Sequence, residues 1–321
     1  MNKRLARRFG IGIGIAALVY LGLALYADWD ELRQALAEFH WSLMLPALGL
    51  ALCNYLIRFL RWQIYLRHTR VPIAWFLSLR IFFCGLVMSI TPGKLGEVLK
   101  AYLVKLHTGT PLSRTGPIVV AERVTDVVAL FVLISIGSLV YRTGFLAVGI
   151  SAAVTVALLV GLASPAVTRV VLHLVERIPG LRRYGERVEH AYASMRSLLR
   201  PGLLLQATLL GILAWFAECV SFAIVLRGFD VSVSVGFATF VYSLSTLVGA
   251  LLLSPGGLGG TEGSMVVWLR GVGVAKEVAV ASTLLVRVAT LWFAVFLGAI
   301  VLLSDRSLTL QTVEASDLET S

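Results

Sequence analysis

The sequence has few charged residues: Asp, Glu, Lys and Arg make up 14% of its 321 positions. A soluble domain usually carries about 25% charged residues, so this composition argues against a soluble globular protein. Hydrophobic residues account for 58%, and the mean hydropathy is +0.87. Several apolar runs approach the roughly 20 residues that a helix needs to cross the hydrocarbon of a bilayer. The composition therefore predicts an all-α polytopic membrane protein.

Residues that would support catalysis or metal binding are also scarce. The three cysteines lie singly within apolar runs, with no metal-ligand spacing and no even-numbered disulfide framework. The five histidines are scattered, and no phosphate-cradling loop of the nucleotide-hydrolase kind is present. We therefore expect no metal, no cofactor and no enzymatic activity. The energy for any transport would come from a source other than nucleotide hydrolysis by this chain.

Basic residues outnumber acidic ones by 28 to 18, which gives a net charge of +10. In a membrane protein such an excess marks the loops that stay in the cytoplasm, so we do not expect nucleic acid as a partner. The basic residues 1–8 and the Arg-rich segment 164–201 are predicted to be cytoplasmic, and the acidic connection 28–40 is predicted to lie outside. The expected location is the cell inner (plasma) membrane, with both termini in the cytoplasm.

The hydrophobic pattern divides a single transmembrane domain, residues 1–304, into spans and broken elements. Two apolar runs are interrupted by Pro-Gly segments, and we expect each to form a re-entrant hairpin, at about 73–106 and 233–270. Residues 305–321 have few apolar side chains and are predicted to be a disordered cytoplasmic tail. About six full spans are expected, at 9–27, 41–65, 117–141, 145–163, 203–226 and 278–303.

Two basic segments leave alternatives open. In residues 164–201 apolar side chains recur every three or four positions opposite the arginines, which is typical of an amphipathic helix on the inner leaflet but also of a solvated connecting helix. Arg58 and Arg61 lie one helical turn apart at the end of the second span. They are interpreted either as snorkelling side chains at the cytoplasmic edge or as ligands of a lipid headgroup.

The interrupted segments resemble each other. Residues 91–97 read Thr-Pro-Gly-Lys-Leu-Gly-Glu, and residues 254–262 read Ser-Pro-Gly-Gly-Leu-Gly-Gly-Thr-Glu. An arginine follows 31 residues after the first proline (Arg123) and 32 residues after the second (Arg287). With three spans between the hairpins, the pattern predicts an inverted repeat, the architecture of many transporters. The alternative is two unrelated Pro-Gly loops.

The residues at the two breaks form the predicted binding site. A helix that starts after a break presents free N–H groups and the positive end of its dipole, which favour an anion. Charges within a span are costly and are functional candidates by default. The carboxylates would keep the cations paired when the site is empty, although ion pairs that only hold the hairpins together are the alternative. The predicted substrate-binding residues are Thr91, Gly93, Lys94, Glu97, Lys100, Glu122, Arg123, Asp126, Glu218, Ser254, Gly256, Gly257, Glu262 and Arg287.

The Pro-Gly segment 91–100, the Glu122-Arg123-x-x-Asp126 motif and the segment 254–262 together resemble the flippase-like membrane-domain family. This family includes the N-terminal transmembrane domain of lysylphosphatidylglycerol synthases, and the resemblance covers nearly the whole chain. It implies movement of polar lipids between leaflets, with the site built around the two broken segments. The sequence ends at Ser321 without the soluble aminoacyl-transferase domain, so the resemblance gives no support for lysyl transfer.

These observations favour a flippase-like or scramblase-like transporter of an anionic lipid or a polyprenyl phosphate. Three cationic side chains at the breaks exceed what a zwitterionic headgroup needs. The alternatives are a membrane subunit that scaffolds a lipid-modifying or glycosyl-transferring enzyme and, with less support, a carrier of ions or small solutes. The expected partners are a membrane lipid with an anionic headgroup and either a second copy of the chain or a membrane enzyme.

Overall fold

The computed structural model describes residues 3–90, 95–141, 149, 153–154, 156–157, 194–252 and 254–304. All regular structure in these ranges is helical, which confirms the predicted all-α membrane fold. Most of the predicted fourth span, most of the 164–201 segment and the tail 305–321 lie outside the described residues. Of the 164–201 segment, residues 194–198 form a short helix that buries Leu198.

Within the described ranges, five helical segments are long and apolar enough to cross a membrane. They match the predicted first, second, third, fifth and last spans. The last segment is one continuous helical path, because the helix Lys276–Arg287 runs through a π-helical turn into the helix Phe293–Ser304. The five segments are α1 (Lys3–Ala27), α3 (Met44–His68), α6 (Leu112–Tyr141), α7 (Pro201–Arg227) and α10 (Lys276–Arg287) with Val288–Trp292 and α11 (Phe293–Ser304).

The first interrupted element has two arms that lie side by side. Helix α4 (Trp75–Leu86) tightens into a 3₁₀ turn at Val87–Ile90, and α5 begins at Leu95 and ends at Thr108. The Lys100 ammonium of α5 lies 4.9 Å from the centroid of the Phe82 ring of α4. Residues 91–94, between the arms, lie outside the described residues.

The second interrupted element is a hairpin whose arms run antiparallel. Helix α8 (Val235–Leu251) and helix α9 (Gly260–Gly271) are separated by a 3₁₀ turn, Pro255–Gly257. Their direction follows from two cross-contacts: the Phe240 and Trp268 rings pack edge to face at 4.9 Å, and the Ser245 and Ser264 hydroxyls bond at 3.0 Å.

Glycine is required at the turn between α8 and α9 for two reasons. Gly256 and Gly257 have φ angles of 61° and 73°, in the left-handed region that residues with a Cβ rarely adopt. Gly249 of α8 faces the same turn so closely that any added side chain would collide with Thr261. The Pro-Gly-Gly sequence therefore breaks the apolar helix at the predicted position.

Helices α3 and α7 pack against each other and run antiparallel. The Asn54 side chain of α3 donates to the Ala214 carbonyl at 2.8 Å, and the Ser221 hydroxyl of α7 donates to the Ala47 carbonyl at 3.1 Å. The second contact point thus lies seven residues earlier on α3 and seven residues further along α7, as expected for antiparallel helices. These two helices precede the first and the second interrupted elements, respectively.

The span after each interrupted element packs against the other interrupted element. Helix α6 contacts α8 at Gly137, where an added Cβ would lie 2.7 Å from the Phe240 backbone nitrogen. Helix α11 contacts the first interrupted element at Gly298, where an added Cβ would lie 2.8 Å from the Phe83 carbonyl oxygen of α4 and 2.5 Å from the Val87 backbone nitrogen. Glycine allows the helix backbones to approach closely at both crossings.

The predicted external connection contains a helix that the sequence analysis did not anticipate. Helix α2 (Trp29–Glu38) buries Leu32 and Ala35, and its cap residue Asp28 accepts a hydrogen bond from the Asp30 backbone nitrogen at 3.1 Å. The chain after α2 is joined to the end of α7, because the His40 backbone nitrogen donates to the Gly228 carbonyl at 2.9 Å.

Candidate functional site

A central cavity of about 410 Å³ lies between the two interrupted elements. Ser89 from the first 3₁₀ turn and Gly256 from the second both line it. The turns touch, because the Ser89 carbonyl oxygen lies 3.5 Å from the position that a Cβ on Gly256 would occupy. The 3₁₀ turn that precedes the first Pro-Gly break and the turn at the second break are more than 150 positions apart in the sequence, and both line one cavity.

The cavity wall carries more positive than negative charge. Among the described lining residues the only carboxylate is Glu218. The cationic lining residues are Arg58, Lys100, Arg123 and Arg287. Three of these cations and the carboxylate were predicted site residues, whereas Arg58 was left with two interpretations.

Lys100 extends from α5 to α6 and pairs with Glu122. Its ammonium lies 3.0 Å from Glu122 Oε2, and both side chains are almost completely buried. The ammonium also lies 4.6 Å from the centroid of the Trp62 ring, close enough for a cation–π interaction. Glu122 does not line the cavity, so it neutralises Lys100 from behind the wall.

Asp126 binds two arginines and a tryptophan. Arg61 donates to its Oδ1 at 2.7 Å, and Trp215 donates to the same oxygen at 3.2 Å. Arg123 approaches its Oδ2 at 2.9 Å. Arg123 is the most exposed member of the group, at 27% of its side-chain surface. Asp126 therefore acts as the counter-ion of a predicted cavity cation, and it does not line the cavity.

Arg287 and Glu262 connect α10 to the second break. Arg287 Nε donates to Glu262 Oε1 at 2.6 Å, and its Nη2 donates to the Gly256 carbonyl at 2.5 Å. The other oxygen of Glu262 accepts from the Gly259 backbone nitrogen at 2.7 Å. Glu262 is fully buried. These contacts fix the turn to the following span.

The second break does not offer all the free backbone donors that the sequence predicted. The N–H groups of Gly257 and Leu258 donate to the Ser254 and Pro255 carbonyls, within the turn. The N–H of Gly259 is bonded to Glu262. These three N–H groups precede α9, and a tight turn and a nearby carboxylate already satisfy them, so they are not free for a ligand. Cationic side chains supply the positive charge of the cavity instead.

Arg58 was not assigned to the predicted site, yet the structure places it on the cavity wall. Its guanidinium lies 5.9 Å from the centroid of the Trp215 ring. Among the described side chains no carboxylate lies within 4 Å of it, in contrast to Lys100, Arg123 and Arg287. Arg61, one turn further along, is 1% exposed and bound to Asp126. Because Arg61 is enclosed by the helices and paired with Asp126, the snorkelling interpretation is wrong for it.

Uncharged residues form the rest of the cavity wall, and no pattern in the sequence predicted that most of them would line it. Glu218 accepts a hydrogen bond from the Tyr242 hydroxyl at 2.7 Å. The Tyr55 hydroxyl donates to the Thr290 carbonyl. Predicted Ser254 and Gly257 line the cavity as well. Tyrosines in apolar runs resemble ordinary core residues, which is why Tyr55 and Tyr242 were missed.

Four predicted site residues cannot be assigned to the cavity. Thr91, Gly93 and Lys94 lie outside the described residues, and Glu97 lies on α5 with its side chain outside the described part. No group of three or more His, Cys, Asp or Glu residues able to hold a metal ion occurs among the described residues. The assembled groups can bind a charged ligand and exchange protons.

Comparison with known proteins identifies relatives along most of the chain. Residues 9–298 match the family model described as the lysylphosphatidylglycerol synthase TM region. A UPF0104 membrane protein of Methanothermobacter thermautotrophicus is 26% identical over 315 residues, which cover 90% of this chain and 92% of the relative. A UPF0104 membrane protein of Pyrococcus horikoshii is 23% identical over 283 residues, covering 79% and 84%. The chain is therefore a multi-pass membrane protein that belongs to the family of the lysylphosphatidylglycerol synthase transmembrane region.

Proposed function

We propose that this protein moves a lipid with an anionic headgroup between the leaflets of the cell inner membrane. A phosphatidylglycerol derivative or a polyprenyl phosphate fits this description. The observation that carries the proposal is the charge of the central cavity, whose described lining has four cationic side chains and one carboxylate. Arginine and lysine bind phosphate oxygens through short, charge-assisted hydrogen bonds.

The position of the counter-ions supports this proposal. Glu122, Asp126 and Glu262 pair with cavity cations but do not themselves line the cavity. An entering phosphate would therefore meet cationic groups without passing a row of carboxylates. Arg58 has no carboxylate within 4 Å among the described side chains, so a phosphate would supply its missing counter-charge.

The size and the wall of the cavity suit a headgroup whose tails stay in the bilayer. A volume of about 410 Å³ lies within the range of roughly 300–1,000 Å³ found for small-molecule sites, and it is too small for two acyl chains as well. Arg123 is the most exposed of the paired cations. Its neighbour on α6, Val120, is 47% exposed. We therefore place the lateral entrance for the lipid beside Arg123.

The proposal includes an inverted repeat of two broken elements that enter the membrane from opposite faces. Three features support it: α3 and α7 run antiparallel, each later span packs on the other half's broken element, and the two 3₁₀ turns meet at the cavity. Transporters built from such repeats bind their substrate at the repeat interface near the bilayer centre. The proposed orientation places both termini in the cytoplasm.

A leaflet-accessibility assay with purified protein in liposomes tests the function. The vesicles contain a trace of fluorescent phosphatidylglycerol labelled on its headgroup, and an impermeant quencher is added outside. The proposal predicts that the protected inner-leaflet pool becomes accessible faster than in protein-free vesicles. Labelled phosphatidylcholine in matched vesicles should move more slowly, because the cationic side chains of the cavity repel its positively charged choline group.

Equal rates in protein-containing and protein-free vesicles would overturn the transport proposal for this lipid class. If a membrane enzyme also co-purified with the protein at a fixed stoichiometry, a scaffolding function would replace it. Equal acceleration of both lipids would retain lipid movement and contradict the proposed preference for an anionic headgroup.

A further inference from the structure

Glu218 differs from the other buried carboxylates around the cavity. Glu122, Asp126 and Glu262 each have a Lys or Arg nitrogen at 2.6–3.0 Å. Glu218 instead accepts one hydrogen bond, from the Tyr242 hydroxyl to its Oε2 at 2.7 Å. In the described part of the chain, no cationic nitrogen lies within 4 Å of Glu218.

The location of Glu218 makes its protonation sensitive to the charges around it. The residue is 6% exposed and lies within a membrane-spanning helix, Pro201–Arg227. A buried ionised carboxylate without an ion-pair partner is unfavourable, because it loses hydration that nothing replaces. The side chain lines the cavity, so a proton can reach it through water there.

Charged and titratable groups face Glu218 from every helix that packs against α7. Tyr55 and Arg58 of α3 and Arg287 of α10 line the same cavity as Glu218. Tyr242 of α8 is bonded to it, and Asp126 lies on α6. The charge state of Glu218 therefore depends on how strongly the cavity cations act on it.

An anionic headgroup changes that balance. In the empty cavity, Arg58 and Arg287 offer their positive charge to Glu218. When a phosphate occupies the cavity it takes up this positive charge and adds a negative charge of its own, which disfavours a second anion nearby. We propose that Glu218 binds a proton when an anionic headgroup enters, so that headgroup and proton occupy the site together.

This inference rests on the proposed function and extends it to the energy source. The proton comes from water in the cavity and binds the carboxylate oxygen, Oε1, that Tyr242 leaves free. A headgroup of charge −1 and one proton together carry no net charge. A pH difference across the membrane can therefore drive the lipid toward the less acidic side.

Proton uptake on lipid binding tests the inference directly. Dihexanoyl-phosphatidylglycerol is titrated into the detergent-solubilised protein by calorimetry, in two buffers of equal pH but different ionisation enthalpy. The expected result is uptake of up to about one proton per lipid bound, with affinity falling up to about tenfold per unit rise in pH, the limit for one linked proton. Glu218→Gln should bind lipid without proton uptake and without this pH dependence.

Two controls separate the possible failures. Glu38→Gln, at an exposed carboxylate of α2, should retain proton uptake, as should Tyr242→Phe, which keeps the Glu218 carboxyl group. Lipid binding to the wild type without proton uptake would overturn the inference and leave the proposed function standing, even if Glu218→Gln did not fold. Absence of lipid binding at every pH would overturn both.

Discussion

The Arg61 guanidinium donates to Asp126 at 2.7 Å where α3 and α6 cross. Both side chains are almost completely buried, with exposed fractions of 1% and 4%. Trp215 of α7 donates to the same carboxylate oxygen at 3.2 Å, so one buried charge joins three membrane-spanning helices. A buried ion pair contributes little net stability by itself, but removing one partner leaves the other as an uncompensated charge.

We expect Asp126→Asn to destabilise the protein severely, by about 3–5 kcal/mol, the usual cost of breaking a buried pair. The change leaves Arg61 buried without its counter-ion. The measurement is the thermal unfolding midpoint in detergent, together with the yield of monodisperse protein. The double variant Arg61→Met/Asp126→Leu removes both charges and should recover much of the loss. An unchanged midpoint for Asp126→Asn would contradict the assigned role.

Arg58 should matter for transport and little for folding. A charge-assisted hydrogen bond contributes about 1.5–3 kcal/mol, so Arg58→Gln should slow movement of anionic lipid by roughly tenfold or more. Its midpoint should stay close to the wild type, because no described carboxylate lies within 4 Å of its guanidinium. Arg67→Gln is the matched control, since Arg67 lies on the same helix, stacks on Trp75 and does not line the cavity. Equal rates for the two variants would remove Arg58 from the site.

Much of the fold could be predicted because the bilayer restricts the possible structures. Hydropathy located five spans that the structure describes, and the Pro-Gly segments located both interruptions. Helix α2 was missed because the helix itself buries only two apolar residues, Leu32 and Ala35, and nothing in the sequence indicated what they pack against. The close passage of α1 at the first break, where Gly12 approaches the Ile90 carbonyl, also has no sequence signature.

The site was predicted in composition but not in arrangement. Spacing placed Arg58 and Arg61 on one helix face, yet one lines the cavity and the other is enclosed by α6. A difference of three residues in an α-helix rotates a side chain by about 60°, and only the packing of a distant helix decides which arginine is enclosed. The pairing of Lys100 with Glu122, and of Arg287 with Glu262, likewise depends on tertiary contacts.

Gly298 should tolerate no side chain. A Cβ there would lie 2.5 Å from the Val87 backbone nitrogen, and a backbone contact cannot be relieved by a rotamer change. We expect Gly298→Ala to cost about 1–3 kcal/mol through overpacking and to lower the unfolding midpoint. Gly14→Ala is the control, because nothing lies within 4 Å of its added Cβ. A midpoint for Gly298→Ala equal to that of Gly14→Ala would show that α11 and α4 are less closely packed.

The two ends of the molecule should face opposite sides of the membrane, and this can be tested with single cysteines. The starting variant has Cys53, Cys84 and Cys219 replaced by serine or alanine. Exposed positions are then changed one at a time. One pair of variants is Asp30→Cys and Ser232→Cys, at the end of the molecule where the chain after α2 contacts Gly228. The other pair is His68→Cys and Arg114→Cys, at positions that flank the first interrupted element.

We expect an impermeant maleimide added to intact cells to label positions 30 and 232, and to label positions 68 and 114 only after permeabilisation. The reason is that both ends of the first interrupted element should lie in the cytoplasm, whereas the second begins outside. Each variant must first keep its yield and unfolding midpoint, so that labelling reports the folded protein. Labelling of all four positions from the same side would contradict the inverted repeat, since both broken elements would then enter from one face. A cavity reached from one face only could hold a headgroup but could not pass it to the other leaflet.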